Sequence, residues 1–416
     1  MKEFSNDKLL KKLINIYLFF LAFPCIYIFG NSITFYIFLI IIFRVGPFWN
    51  SKFNSDKYYK IFFAIVLISS LLIPYSEMPR HPGIISTLKI LIQYLYWILL
   101  ACFFSKYLSK IGLIRIGKYF LYGTVLSIIG FYLLPFNIDL SIINIDFQQT
   151  RNSFLFCILA CYPFIYFYLN EKYNIVIRLL VLSVIFSASF FTLGRSGPII
   201  LLIQLLFIIS ISNKFISLTV SRFIIPLLII FTLIGQSIST NQSSEYISDL
   251  IRPINPRLSN IISNERQQTL SFDKSWLIRK LMIDKGNAIF TKYPLLGIGP
   301  SGFKYYDSNL STLRTYERLL SKSARYYNSR SSHNSYLEII VSFGLLGSFV
   351  FLFIIGKPIL VLIRAIFNNE LSLKYISLIS LVGILIHFYT ITSITGALPW
   401  MVLGASSGAI SQIRNK

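Results

Sequence analysis

The sequence predicts an all-α polytopic membrane protein of about twelve transmembrane helices, with a large extracytoplasmic loop containing amphipathic helices. Three observations carry this. Of the 416 residues, 55% are hydrophobic and only 13% charged, where a soluble chain would carry roughly a quarter. Apolar windows suited to spanning lipid begin near residues 12, 32, 60, 86, 117, 152, 175, 196, 218, 335, 373 and 396; a span needs about 20 such residues. Between the ninth and tenth windows, residues 239–333 are too polar to enter a bilayer. A soluble enzyme with a large core is excluded.

In chain order, the run from Leu13 to Phe29 follows Lys8, Lys11 and Lys12. No small-residue cleavage site follows and another apolar run begins at once, so it is read as a retained first span. Turns through Gly30-Asn31-Ser32 and through Thr395-Gly396 make hairpins of the first two and last two spans. With the N-terminus inside, the cytoplasmic segments hold 21 of the Lys and Arg residues, and the short outer connections hold only Arg80, Lys89, Arg151 and Arg195. This bias puts both termini in the cytoplasm and the long loop outside. The chain then divides into residues 1–238 with nine spans, a periplasmic loop at 239–333, and residues 334–416 with three more spans. Cys25, Cys102, Cys157 and Cys161 all fall in apolar runs. They read as small buried hydrophobes rather than disulfides or metal ligands.

The loop holds fourteen Lys and Arg against seven acidic residues, a net charge of +7. It is either a solvated basic surface or a surface for an anionic ligand. Residues 241–270 are rich in Ser, Asn, Gln, Pro and Arg and read as irregular. From Ser275 to Tyr293 the period becomes helical. Leu277, Ile278, Leu281, Met282, Ala288 and Ile289 share one arc, Lys280, Asp284 and Asn287 lie opposite, and Arg279 sits at the edge. This is an amphipathic helix, with Ser275 or Asp273 as cap and Pro294 as its close. Gly297-Ile298-Gly299-Pro300-Ser301-Gly302 matches G-x-G-x-x-G in letters only, since no strand precedes it. It is a tight turn, or a turn offering backbone N–H groups to a phosphate. Beyond it the loop is rich in Tyr and Arg, with Arg314, Arg318, Arg325 and Arg330. Guanidinium groups and aromatic faces suit phosphates and sugars. Outside the cell, nucleic acid is not the expected partner.

The loop meets the next span at Ser331-Ser332-His333-Asn334-Ser335-Tyr336-Leu337-Glu338. A histidine at a border between water and apolar protein is suited to proton transfer; the plain alternative is a helix cap. Glu338 lies one turn after Asn334 on the same face, able to orient a polar group or pair with an Arg. Arg195, in Gly194-Arg195-Ser196-Gly197-Pro198, lies in a break between two apolar runs on the same outer side. It either meets an anion or snorkels from a helix end. His387 reads as a packing residue, and His81, in Pro79-Arg80-His81-Pro82-Gly83, as a residue that shapes a short outer loop.

Gly194-Arg195-Ser196-Gly197, Pro294-Leu295-Leu296-Gly297-Ile298-Gly299, His333-Asn334-Ser335-Tyr336-Leu337 and Phe343-Gly344-Leu345-Leu346-Gly347, in this order, resemble the O-antigen ligase and polymerase family. Asn152 also stands at a recurring family position. The resemblance covers residues 150–355 best, and it is closest to an O-antigen polymerase. It implies a GT-C-like membrane fold and an inverting glycosyltransferase in the bacterial inner membrane. The donor would be a glycan on undecaprenyl pyrophosphate, and the acceptor another lipid-linked unit or lipid A core. It further implies catalytic roles for His333, Arg195 and Arg279, and substrate binding by Asn334, Tyr336 and the four loop arginines. Membrane lipids and a chain-length regulator are the other expected partners. The outer loops hold no Asp-x-Asp pair, so neither a metal nor another cofactor is expected. A lipid-linked-glycan flippase would carry its charges along a path at mid-bilayer; here they concentrate in one outer loop.

Overall fold

The computed structural model describes residues 7–28, 31–45, 54–78, 81–133, 137–140, 143–146, 151–191, 197–212, 274–307, 331–368, 370, 372–389 and 394–414. The fold over these residues is mostly helical. The helices are α1 (Lys8–Ala22), α2 (Ile33–Val45), α3 (Asn54–Leu71), α4 (Ile84–Ile111), α5 (Leu113–Leu133), α6 (Arg151–Lys172), α7 (Ile175–Phe191) and α8 (Gly197–Ser212). After them come α9 (Lys274–Lys292), α10 (Gly302–Tyr305), α11 (Ser335–Phe367), α12 (Ile376–Phe388) and α13 (Ala397–Arg414). Each predicted window meets one of these helices except that near 218, which lies outside the described residues together with 241–270. Among the described residues, four helices are long and apolar enough to cross a membrane: α4, α5, α6 from Ser153, and α11. Shorter apolar helices stand at Ile33–Val45, Ile175–Ser189, Gly197–Ile211 and Leu373–Phe388. The chain has the build of a polytopic membrane protein.

The main core lies inside the bundle. Trp400 of α13, Tyr59 and Phe62 of α3 and Phe343 of α11 are fully enclosed, and Phe62 meets both Phe343 and Trp400 ring to ring. Helices α4 and α13 approach so closely that a Cβ at Gly404 would lie 2.2 Å from the Ala101 carbonyl oxygen. Small residues at such crossings are how spans pack where lipid is as apolar as protein. Polar side chains tie the central helices: Gln204 donates to the Leu159 carbonyl at 2.9 Å, and Ser380 to that of Ala160 at 2.6 Å. All four cysteines are buried, and none is in a disulfide.

A small sheet departs from the all-α expectation. Strands β1 (Ile26–Ile28), β2 (Asn31–Ser32), β3 (Asn137–Leu140) and β4 (Ile143–Asp146) pair antiparallel in the order β2-β1-β4-β3. Ile138 faces Ile145 across β3 and β4, and Tyr27 faces Asn144 across β1 and β4. The α1–α2 and α5–α6 connections are thus joined by backbone ladders. Alternation of polar and apolar residues in Asn137-Ile138-Asp139-Leu140 and Ile143-Asn144-Ile145-Asp146 is the strand period. Hydropathy windows sized for spans average it away.

A second, smaller core lies where the loop docks. Leu281, Met282 and Ile289 of α9 join Ile73 and Met78 of the α3–α4 connection, Ile298, Phe303, Tyr306 and Val341 of α11. Burying one such side chain contributes roughly 1.5–3 kcal/mol before entropy is counted. The predicted amphipathic helix is therefore present over nearly its expected range, and its apolar arc packs on protein. Of its proposed caps, Asp273 lies outside the described residues and Ser275 lies within the helix.

Candidate functional site

The junction around His333 is built from the start of α11. Asn334 is extended and caps the helix, its side-chain oxygen accepting from the backbone N–H of Tyr336 at 2.9 Å and of Leu337 at 3.1 Å. Four backbone N–H groups at a helix start lack internal partners, so this cap holds the first turn closed. One residue earlier, His333 has φ +51, a left-handed conformation. For a residue with a Cβ this costs on the order of 1–2 kcal/mol and persists only where the surroundings hold it. Ser332 is buried, 2% exposed, and its hydroxyl donates to the Asn334 carbonyl at 2.8 Å. His333, half-buried, thus sits in a bend anchored on both sides.

Below the bend, Glu338 is 6% exposed and its Oε2 has no hydrogen-bond partner. The Ser332 backbone N–H acts on this carboxyl, and Lys285 of α9 acts on it through its charge. Lys285 is 1% exposed, with Nζ 4.9 Å from the centre of the Phe303 ring. Helix α9 approaches α11 beside these two residues: a Cβ on Gly286 would lie 2.5 Å from Leu337 Cδ1.

The loop also enters α11. The helix breaks at Gly344, whose φ of 62° and ψ of −161° are not helical. The break leaves backbone groups to be satisfied by protein where water is absent. Residues 294–299 supply the partners. Ile298 N–H donates to the Val341 carbonyl at 3.0 Å and Gly299 N–H to that of Ser342 at 2.9 Å. Leu345 and Leu346 donate back to the carbonyls of Pro294 and Leu295 at 2.8 and 3.2 Å. The two glycine-rich motifs read separately in the sequence are one interlocked unit. The amides of Ile298 and Gly299, which a phosphate-binding turn would have offered outward, are taken up by α11.

The α3–α4 connection completes the docking. Glu77 accepts from Lys292 and, at 2.7 Å, from the Tyr293 hydroxyl. Its backbone carbonyl accepts from Asp307 N–H at 3.2 Å. The Lys292 hydrogen bond holds the Glu77 carboxyl below its ordinary range, while burial and the Glu77 charge raise Tyr293 and push Tyr306 up to about 12. His81 accepts from Gly83 N–H through Nδ1 and stands edge-on between the Tyr75 and Tyr305 rings. Burial lowers its pKa. It shapes its loop, as expected, and also joins that loop to α10.

Of the sequence-predicted site residues, the structure brings His333, Asn334 and Tyr336 together at the start of α11, against the helix that carries Arg279. Arg279 is half-buried. The Tyr336 hydroxyl donates to the Leu385 carbonyl at 2.7 Å and its ring meets Phe388, so it is turned into the bundle. Arg195, Arg314, Arg318, Arg325 and Arg330 lie outside the described residues, and Asn152 is the second residue of α6. His387 packs on the Phe156 ring, as expected. Among the described residues, no group of three His, Cys, Asp or Glu side chains could hold a metal ion.

Sequence reading missed Lys285. A signal was present: Lys285 falls on the same helical arc as Ile278, Met282 and Ile289, a charge at a position the period reserves for apolar residues.

Residues 184–352 match the family model described as O-Antigen ligase. The match runs from α7 into α11 and spans the positions of Arg195, Arg279, His333 and both glycine motifs. The chain has no match among curated proteins.

Proposed function

From the O-antigen ligase domain at residues 184–352, we propose that this chain is an O-antigen polymerase of the bacterial inner membrane. It joins undecaprenyl-pyrophosphate-linked repeat units at the periplasmic face, with both termini in the cytoplasm and residues 239–333 forming the outer loop. The observation that carries the reading is His333, held in a left-handed bend at the head of a long apolar helix, beside the docked loop helix that bears Arg279. A histidine there is held in a fixed bend and is only partly buried.

In the proposed reaction His333 takes the proton of an acceptor sugar hydroxyl. The hydroxyl oxygen attacks the anomeric carbon of the donor glycan from the face opposite the pyrophosphate. The carbon–oxygen bond to pyrophosphate breaks, the configuration inverts, and undecaprenyl pyrophosphate leaves with the electron pair. Arg279 and Arg195 are assigned to the charge that develops on that leaving group, where fixed guanidinium groups act most strongly. Arg314, Arg318, Arg325 and Arg330 are assigned to the anionic and sugar portions of the two substrates. Asn334 keeps His333 in place through the α11 cap. A chain-length regulator is the proposed protein partner.

The family description itself supports a second reading, a ligase that differs only in taking lipid A core as acceptor. A strain lacking the gene separates the two. Loss of long chains with one unit still attached to core means polymerase, and loss of every attached unit means ligase. The chemistry is tested by reconstituting the protein with lipid-linked repeat units. His333→Ala is expected to abolish turnover at unchanged folded yield, and full activity of that variant removes His333 from the mechanism.

A further inference from the structure

Among the described residues, Lys285 and Glu338 are the only Lys, Arg, Asp or Glu side chains that the fold buries. They come from different parts of the chain, the loop helix and the span that follows the loop. They are brought near each other where α9 touches α11 at Gly286 and Leu337. A buried pair of charges is poor at adding stability, because desolvation offsets most of the attraction. An apolar pair would hold α9 to α11 as well or better. The location suggests another use.

His333 has φ +51, so its bend must be held from outside. After it, Asn334 is fixed by capping α11. Before it, Ser332 is held by its backbone N–H to the Glu338 carboxyl and by its hydroxyl to the Asn334 carbonyl at 2.8 Å. The other carboxyl oxygen, Oε2, has no hydrogen-bond partner. The charge set against Glu338 is Lys285, on the helix that also bears Arg279.

We propose that Lys285 and Glu338 are positioning residues: through Ser332 they hold His333 in its bend, and through α9 they set the register of Arg279 against it. One buried pair thereby ties together two groups that act on the two ends of the same reaction. This rests on the transferase reading given above. A displacement of about 1 Å at a reacting group can lower turnover by as much as roughly a hundredfold, so loss of the pair is expected in turnover and not in substrate binding.

The test uses the full chain in vesicles with lipid-linked repeat units, and three readouts: turnover against apparent KM, melting temperature, and the rate at which diethyl pyrocarbonate modifies His333. Lys285→Met or Glu338→Gln alone strands a buried charge and is expected to lower folded yield. The double variant Lys285→Met with Glu338→Gln strands none. Its melting temperature is expected to return to that of wild type, while turnover stays about 10–100-fold low with KM nearly unchanged and His333 reacts at an altered rate. Wild-type turnover in the double variant overturns the proposal, because a merely structural pair would be replaced without loss. If wild type itself transfers nothing, the transferase reading fails. The reactivity of His333 then decides alone: a changed rate in the double variant upholds the positioning role, and an unchanged rate ends it.

Discussion

The interlock between residues 294–299 and the break in α11 gives a sharp prediction at Gly344. Its φ of 62° and ψ of −161° belong to a basin that is essentially glycine's alone. Alanine there is strained by about 1–3 kcal/mol. The added Cβ would also lie 2.3 Å from the backbone C and O of Leu295 and 2.6 Å from the N of Leu296. These are backbone atoms and cannot rotate aside, so residues 294–299 must shift, an overpacking term of about 1–3 kcal/mol. Shifting them weakens the hydrogen bonds from Leu345 and Leu346 to Pro294 and Leu295, each worth about 0.5–1.5 kcal/mol. These effects partly relieve one another, and Gly344→Ala is expected to lose about 3–6 kcal/mol, a large share of a typical protein's stability. The assay is thermal unfolding of the detergent-solubilised protein followed by size exclusion. Gly356→Ala is the control, because it lies in the same helix with nothing within 4 Å of its Cβ. It should be neutral or slightly stabilising. A Gly344→Ala protein with wild-type yield, melting within about 2 °C of wild type, would refute the interlock.

Three further predictions concern the docked loop. Asn334→Ala removes the α11 cap and is expected to lower stability by about 0.5–2 kcal/mol, while Asn334→Asp retains it; melting temperatures of the two variants distinguish these outcomes. Glu77 is depressed in the fold chiefly by Lys292. Its contribution is therefore complete above the ordinary carboxylate range and is lost as pH falls through the depressed value. At neutral pH Glu77→Gln should loosen the loop by only about 0.2–1 kcal/mol, since the pair is partly exposed, seen as faster amide exchange in α9. His81 is lowered by burial, so its neutral form is favoured by folding. That stability is complete above the ordinary histidine value and fades as pH drops through the lowered one. Between pH of about 7.5 and 5, wild type should lose melting temperature that His81→Phe keeps; parallel curves for the two would refute this.

The apolar helices and the amphipathic helix were legible because each is written in local periodicity or composition. Leu281, Met282 and Ile289 declared their buried face at 3.6-residue spacing. The sheet was legible in principle, since β3 and β4 alternate strictly, but a window as long as a span erases a period of two. What local pattern does not encode is which segment closes on which. Pro294-Leu295-Leu296-Gly297-Ile298-Gly299 and Phe343-Gly344-Leu345-Leu346-Gly347 stand far apart in sequence, and neither reveals that Gly297 and Gly344 make room for the other motif. Lys285 failed to show for the same reason, and Glu338 showed only as a charge without its partner. Each is a single charge in an apolar context, and its meaning depends on a partner supplied by tertiary packing.

The break in α11 and the bend at His333 belong to one arrangement. A straight helix of 33 residues would be about 50 Å long, against a hydrocarbon core of about 30 Å. The segment from Ser335 to Phe343 is thus a short half-helix that the bilayer does not need. It is bounded by the Asn334 cap above and the Gly344 break below. Residues 294–299 hold its lower end through two backbone hydrogen bonds and the far side of the break through two more, Gly286 of α9 rests on its middle at Leu337, and the bend carrying His333 leaves from its upper end. Among the described residues, the half-helix is met on the loop side by residues 274–307 and, at Val341, by the core that includes Ile73 and Met78. Lifting α9 from α11 is therefore expected to turn the histidine as well. This links the small core under α9 to the site: Met282→Ala, about 2–5 kcal/mol of lost packing, should release both Arg279 and His333. A variant with a loosened α9, measured by amide exchange, and an unchanged His333 modification rate would show that the two are held independently.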